Sequence, residues 1–281
     1  MPCADMPNVS DEELEVIKKL HEVSFKMLLD LDRVCKANDI QYVISDGTLL
    51  GAVRHKDFIP WDDDADVSMT RENYDKFCKV AGQMGPHYTL FRPELRTDEF
   101  WDHVTHLRYD LVQVPDGAYD LDIFILDRAP ASETALFPFR LKVLWGMSMS
   151  KRRNMDYSKY DSFVGKAEAF LLSLLGKPFS LGKLNRMYVK SASKYNDNPN
   201  ATKMCQSTAI PCDWGAKSYE ASWYDEPIEI ELHGHMFPAA SNPAGPLRAM
   251  YGDFMSFPRP ESRVPKHIHG MADQVKFLDE V

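Results

Sequence analysis

Four aspartates fall within five residues in Asp62-Asp63-Asp64-Ala65-Asp66, and Val67-Ser68-Met69 continues the run. From Asp64 to Met69 polar and apolar residues alternate as they do along a strand, so Asp64 and Asp66 share a face. Asp62 joins them if the strand begins early. Carboxylates pressed together repel, and their pKa values rise. A divalent cation removes the conflict, and hard oxygen ligands suit Mg²⁺ or Mn²⁺ rather than zinc. A second acidic strand, Asp120-Leu121-Asp122-Ile123-Phe124-Ile125-Leu126-Asp127, puts Asp120 and Asp122 on one face of an apolar run. A carboxylate between Leu121 and Ile123 needs a partner to be worth burying. The expected partner is a metal held jointly by Asp64, Asp66 and Asp122.

Upstream, Tyr42-Val43-Ile44 reads as a short strand and Ser45-Asp46-Gly47-Thr48 as a turn into a short helix, Leu49 to Val53. Such a turn offers the backbone N–H groups of Gly47 and Thr48, and the Thr48 hydroxyl, to a phosphate. Arg54, His55 and Lys56 follow. Arg54 can grip phosphate oxygens with its planar fork, and His55 stands beside it. Asp63, lying among the metal residues, is assigned to substrate binding.

The rest of the chain reads as an α/β (α+β) protein. Ser10 and Glu13 form a capping-box pattern ahead of a long amphipathic helix. Strands are expected at Tyr88 to Phe91, Val104 to Tyr109 and Tyr119 to Leu126, and helices at Phe137 to Ser150 and Phe163 to Leu175. Ile228 to Phe237 reads as a hairpin with His233-Gly234 at its turn, and Leu247 to Tyr251 as a short helix. The expected organisation is a single catalytic domain: a core over residues 10–130 with a mixed sheet flanked by helices, a variable helical insertion over 131–220, and a C-terminal segment over 221–281.

A net charge of −9 excludes nucleic acid as the main partner, because phosphate backbones need a basic surface. Five scattered cysteines and an N-terminus without an apolar stretch point to a cytoplasmic protein with reduced thiols. The clearly basic region lies in residues 137–159, where an apolar helical stretch meets Arg140, Lys142, Lys151, Arg152, Arg153 and Lys159. It is the expected site of peripheral contact with an anionic membrane surface.

Two blocks, Ser45-Asp46-Gly47-Thr48-Leu49-Leu50-Gly51-Ala52-Val53-Arg54-His55 and Phe58-Ile59-Pro60-Trp61-Asp62-Asp63-Asp64-Ala65-Asp66-Val67, resemble the LicD family of the nucleotidyltransferase superfamily. That family includes bacterial phosphocholine transferases and is similar to the fukutin-type ribitol-phosphate transferases. The resemblance continues in Leu121 to Asp127, Ile230 to Gly234 and Leu247 to Met255, and departs at Ile125, where the family usually has Pro. It implies a nucleotidyltransferase-like core and transfer of a phosphorylated small alcohol from a CDP-alcohol donor to a hydroxyl of a glycan or lipid-linked glycan. If the alcohol is choline, its ammonium wants ring faces, and Trp61, Trp101, Tyr109, Tyr119, Trp145 and Trp214 are the pool. The alternative is a nucleotidyltransferase that moves a nucleoside monophosphate with the same three carboxylates.

Overall fold

In the computed structural model of the chain, the described residues are 6–95, 104–109, 119–130, 136–149, 162–208 and 218–265. They form two compact units. The first comprises residues 1–90, 106–123 and 222–281, and the second residues 91–105 and 124–221.

The first unit opens with α1 (Asp11–Ala37). Ser10 caps it, and the reciprocal Ser10–Glu13 capping box is present. The helix buries Ile17, Leu20, Leu28, Leu31 and Val34 along one stripe, the spacing that directs an apolar face to a core. Then come β1 (Val43–Ile44), α2 (Asp46–His55), β2 (Ala65–Thr70) and α3 (Arg71–Val80), which Thr70 caps through the Asn73 N–H. Next are β3 (Tyr88–Phe91), β4 (Thr105–Tyr109) and β5 (Asp120–Ala129), and the sheet order is β1-β2-β5-β4-β3.

The mixed α and β content, with a sheet flanked by helices, is the expected fold class. Several boundaries differ from expectation, two of them at the acidic run and the turn before it. The short helix begins at Asp46 rather than Leu49, because the turn residues are its first turn, with Asp46 in the left-handed region at φ 48°. β2 begins at Ala65, so Asp64 precedes the strand.

The second unit begins within β5, whose latter half pairs antiparallel with β6 (Lys203–Gln206), which in turn pairs with β7 (Ser218–Glu220). Around these strands lie α4 (Leu136–Met149), α5 (Phe163–Gly176) and α6 (Leu181–Ala192). Phe137, Leu141, Leu144, Leu184, Tyr188 and Ala192 pack into one core cluster. Ile125, the departure noted above, uses its N–H to bond the Thr208 hydroxyl at 3.1 Å, a donation that proline cannot make.

The first unit closes with the hairpin β8 (Ile228–Leu232) and β9 (His235–Ala239) and with α7 (Ala244–Tyr251). Leu232 pairs with His235, and the two residues between them, His233 and Gly234, have φ of 51° and 75°. Positive φ at both central positions is the primed turn that matches strand twist. The turn is fixed against the end of α2: the His233 N–H donates to the Lys56 carbonyl, and its Nδ1 lies 2.8 Å from Asp57.

Candidate active site

Within the first unit the charges of the expected carboxylates Asp64 and Asp122 act on Asp66. Asp66 is buried, and its carboxyl is pushed well above the ordinary carboxylate range. Burial is the largest cause, followed by the negative charges of Asp64, Asp46, Asp122 and Asp62. The tightest trio among the described residues is Asp62, Asp63 and Asp64, with one oxygen from each lying within 4.8 Å of the others. Asp63 is buried and its two neighbours are half-buried. The metal expectation was drawn on Asp64, Asp66 and Asp122; the geometry adds Asp46, Asp62 and Asp63 to the neighbourhood.

Gly47 and Thr48 serve Asp66 directly. The Gly47 N–H donates to Asp66 Oδ2 at 3.0 Å, and the Asp66 N–H donates to Thr48 Oγ1 at 2.8 Å. Thr48 is buried. A Cβ at 47 would lie 2.5 Å from Asp62 Oδ2 and 3.3 Å from Asp66 Oδ2, so a larger residue there would displace the Asp62 carboxylate. The buried Ser45 hydroxyl makes no hydrogen bond among the described residues, which leaves an uncommitted polar group at the start of α2.

Asp120 and Asp122, for which a metal is the expected partner, also have protein partners on the neighbouring strand. His106 Nδ1 donates to Asp122 Oδ1 at 2.6 Å. Arg108 grips Asp120 with both ends of its fork, Nε to Oδ1 and Nη2 to Oδ2, each at 2.9 Å. Thr105, Leu107 and Tyr109 of the same strand are buried, so His106 and Arg108 take the opposite face. The alternation Thr105-His106-Leu107-Arg108-Tyr109 carries that signal in the sequence.

His21 is a second contributor that sequence spacing did not suggest. It stacks on Phe58 with ring centroids 4.9 Å apart, and Nε2 donates to the Asp62 carbonyl at 2.8 Å. Burial lowers its pKa, which keeps the ring neutral and ties α1 to the acidic run.

Arg54 sits at the end of α2. Its Nη1 donates to the Phe254 carbonyl at 3.1 Å and the Ser256 carbonyl at 3.4 Å, and its Nε to His55 Nε2 at 3.0 Å. Burial first, and the Arg54 charge second, lower the His55 pKa, consistent with a neutral ring that accepts. The Arg54 and Arg263 guanidiniums lie over Phe257 (4.8 and 5.4 Å) and Trp61 (5.9 and 5.6 Å). Of the aromatic pool, Tyr109 and Tyr119 are buried, Trp145 packs against the core of the second unit, and Trp101 and Trp214 lie outside the described residues. Trp61 remains, beside the acidic run.

Arg54→Lys tests this arrangement. Lysine keeps the charge but cannot bond two carbonyls and a histidine from one plane. The expected result is a loss of about 1–3 kcal/mol in stability, read as a lower Tm, together with reduced turnover. Parental Tm and turnover would reduce Arg54 to a surface charge.

A sheet carrying an acidic strand-start beside a glycine-opened helix, with a further aspartate on a neighbouring strand, is the arrangement expected of a nucleotidyltransferase-like core. The chain resembles the LicD family: residues 39–163 match the family model described as LicD/FKTN/FKRP, nucleotidyltransferase domain. It is similar to the lipopolysaccharide cholinephosphotransferase LicD of Haemophilus influenzae, at 29% identity over 252 residues, covering 84% of this chain and 89% of the relative. Shorter matches join it to uncharacterized proteins of Rickettsia prowazekii (40% over 72 residues, 23% of this chain and 26% of the relative) and Rickettsia typhi (39% over 59 residues, 21% and 19%). The chain is thus an enzyme of the LicD phosphotransferase type.

Proposed function

We propose that this enzyme transfers a phosphorylated small alcohol, phosphocholine first among them, from a CDP-linked donor to a hydroxyl of a cell-surface glycan or its lipid-linked precursor. The observation that carries the reading is Asp66, buried among Asp46, Asp62, Asp64 and Asp122. So many carboxylates around one buried carboxyl are costly unless a cation joins them. The donor set is all oxygen, which fits Mg²⁺ or Mn²⁺. Asp64, Asp66 and Asp122 would hold the ion, with Asp62 and Asp63 alongside. Once bound, the ion would supply charge neutralisation for the diphosphate.

The protein's own part is placement and proton handling, the main needs of phosphoryl-type transfer. The acceptor oxygen attacks the phosphorus that bears the alcohol; the bond from that phosphorus to the bridging oxygen breaks, and CMP leaves. Asp122, oriented by His106, takes the acceptor's proton. Gly47 and Thr48 hold Asp66 in place, and the Ser45 hydroxyl is available to a donor phosphate. Arg54 and His55 flank the diphosphate. The relative named for lipopolysaccharide supports a glycan acceptor, and a lipid-linked acceptor would place the enzyme at the inner membrane surface. Among the described residues no helix is long and apolar enough to cross a membrane.

The testing experiment is a screen of CDP-choline, CDP-ethanolamine, CDP-glycerol and CDP-ribitol with and without Mg²⁺. CMP release that depends on the metal is expected, greatest with CDP-choline. Pyrophosphate release from CTP with an alcohol phosphate would instead establish nucleotidyl transfer.

His106→Ala probes the proton-accepting carboxylate. Removing the partner of a functional carboxylate or ligand costs about 10–100-fold, so turnover should fall by that factor while the fold persists. Unchanged turnover and unchanged metal dependence would detach Asp122 from the chemistry.

A further inference from the structure

The second unit contains a helix whose apolar side is turned the wrong way for water. In α5 the residues that are buried or half-buried are Gly165, Glu168, Ala169, Leu172, Ser173 and Gly176, mostly small or polar. The outward face carries Phe163, Val164, Phe170, Leu171, Leu174 and Leu175, with exposures from 41% to 86%. A helix that meets water on its outer side shows the opposite arrangement, and an exposed apolar face of this extent marks an interaction surface.

The neighbouring helix extends the surface. Lys142 of α4 pairs with Glu168 of α5 at 2.9 Å, and Gly146 packs against Leu172, where a Cβ would collide with the leucine. Four residues on in one helix match four residues on in the other, so the two run in the same direction. Leu136 and Phe139, both exposed, therefore stand near the level of Phe163 and Val164. The other apolar residues expected to reach a membrane, Phe137, Leu141 and Leu144, are buried in the core. Val143 and Trp145 pack against that core, and residues 150–159 lie outside the described ones. The exposed apolar surface thus lies mainly on α5.

Charge identifies the occupant. Residues 136–180 hold eight Lys and Arg against three Asp and Glu, a net +5, which leaves −14 on the rest of the chain. Glu168, one of those three acids, is paired with Lys142. Lys166 on α5, Lys177 just past its end and Arg140 on α4 are exposed. Apolar side chains flanked by cations fit a helix lying in the headgroup layer of an anionic bilayer. At 14 residues α5 is about 21 Å long, short of the 30 Å or so of a hydrocarbon core, so it lies along the surface.

We propose that α5, with the start of α4, is a membrane-docking element that seats this enzyme reversibly on anionic lipid. The inference rests on the transfer reading for its purpose, which is to bring the site to a lipid-linked acceptor. Its evidence is independent of that reading.

Flotation of the full chain with phosphatidylglycerol-containing and pure phosphatidylcholine vesicles tests it. Binding to the anionic vesicles, weakened by salt, is expected, with little on the neutral ones. Phe170→Ser with Leu174→Ser should cut the bound fraction about tenfold or more, since the insertion energy lies in those side chains. Lys166→Glu with Lys177→Glu should remove the anionic preference. Thermal melting and metal-dependent CMP release into water should be unchanged in both variants, because these residues point away from the core and take no part in the site. No binding to either vesicle would overturn the proposal. So would a dimer that dissociates on Phe170→Ser without vesicle binding, because a second copy would then cover the face. If no variant releases CMP while anionic binding persists, the transfer reading fails and the docking element stands.

Discussion

Asp66→Asn is expected to abolish transfer and, without metal, to make the protein more stable. The amide keeps an oxygen to accept the Gly47 N–H, now bonded to Asp66 Oδ2 at 3.0 Å, and its NH₂ can donate to nearby carboxylates. What disappears is a charge buried among Asp64, Asp46, Asp122 and Asp62. Losing a metal carboxylate removes several kcal/mol of charge stabilisation, which is about a thousandfold or more in rate. Metal-free stability moves the other way. The folded-state pKa of Asp66 lies above its unfolded value, so between about pH 4 and that raised value the folded chain binds more protons than the unfolded one. The parent therefore loses stability as pH rises through this window. In Asp66→Asn that slope should flatten, and at neutral pH the Tm should rise by a few degrees, at about 2–4 °C per kcal/mol. Melting curves in EDTA across pH 5–8 check both statements. A variant that melts lower than the parent at every pH, or that keeps parental turnover, contradicts the assignment.

Gly51→Ala is the second large effect. A Cβ at 51 would sit 2.6 Å from the Asp57 carbonyl oxygen and 3.2 Å from both Ile59 N and Phe58 Cα. These are backbone atoms, so no side-chain rotation relieves the clash. Forcing atoms into a closed space costs about 1–3 kcal/mol. The displaced segment leads directly into Trp61 and the aspartates, and a shift of about 1 Å in a reacting group costs about a hundredfold. Gly51→Ala should therefore lower both Tm and turnover. Gly82→Ala is the control: a Cβ there meets nothing within 4 Å, and neither quantity should change. Equal behaviour of the two variants would mean that α2 does not set the position of the acidic run.

The acidic run was legible in sequence because its chemistry is local, but strand alternation does not place Asp64, which precedes β2. The hairpin was legible for a similar reason, since His233-Gly234 can supply two positive φ angles in succession. His21 and His106 were not legible. They meet Asp62 and Asp122 across 41 and 16 residues, and only the pairing of elements brings them there. The role of Gly47 and Thr48 shifted for the same reason, because the expected phosphate donors face a carboxylate that strand β2 delivers.

α6 has a trace in the sequence. Leu181, Leu184, Tyr188 and Ala192 recur at helical spacing behind the cap Ser180. Strands β6 and β7, of four and three residues, carry too few alternations to register. For α5 the helix was readable but its orientation was not. Phe163-Val164 and Ala169-Phe170-Leu171-Leu172 put apolar residues on nearly every side, so periodicity cannot say which side is buried. Only Gly146 against Leu172 and Lys142 against Glu168 fix it.

The central claim is that the clustered aspartates serve metal-dependent transfer of an alcohol phosphate. The most direct test incubates the full chain with CDP-choline and a lipopolysaccharide acceptor, with Mg²⁺ or with EDTA, and quantifies CMP and phosphocholine-modified glycan together. Equal amounts of the two with Mg²⁺, and neither with EDTA, is the predicted result; undiminished transfer in EDTA, or modified glycan formed without CMP, would contradict it.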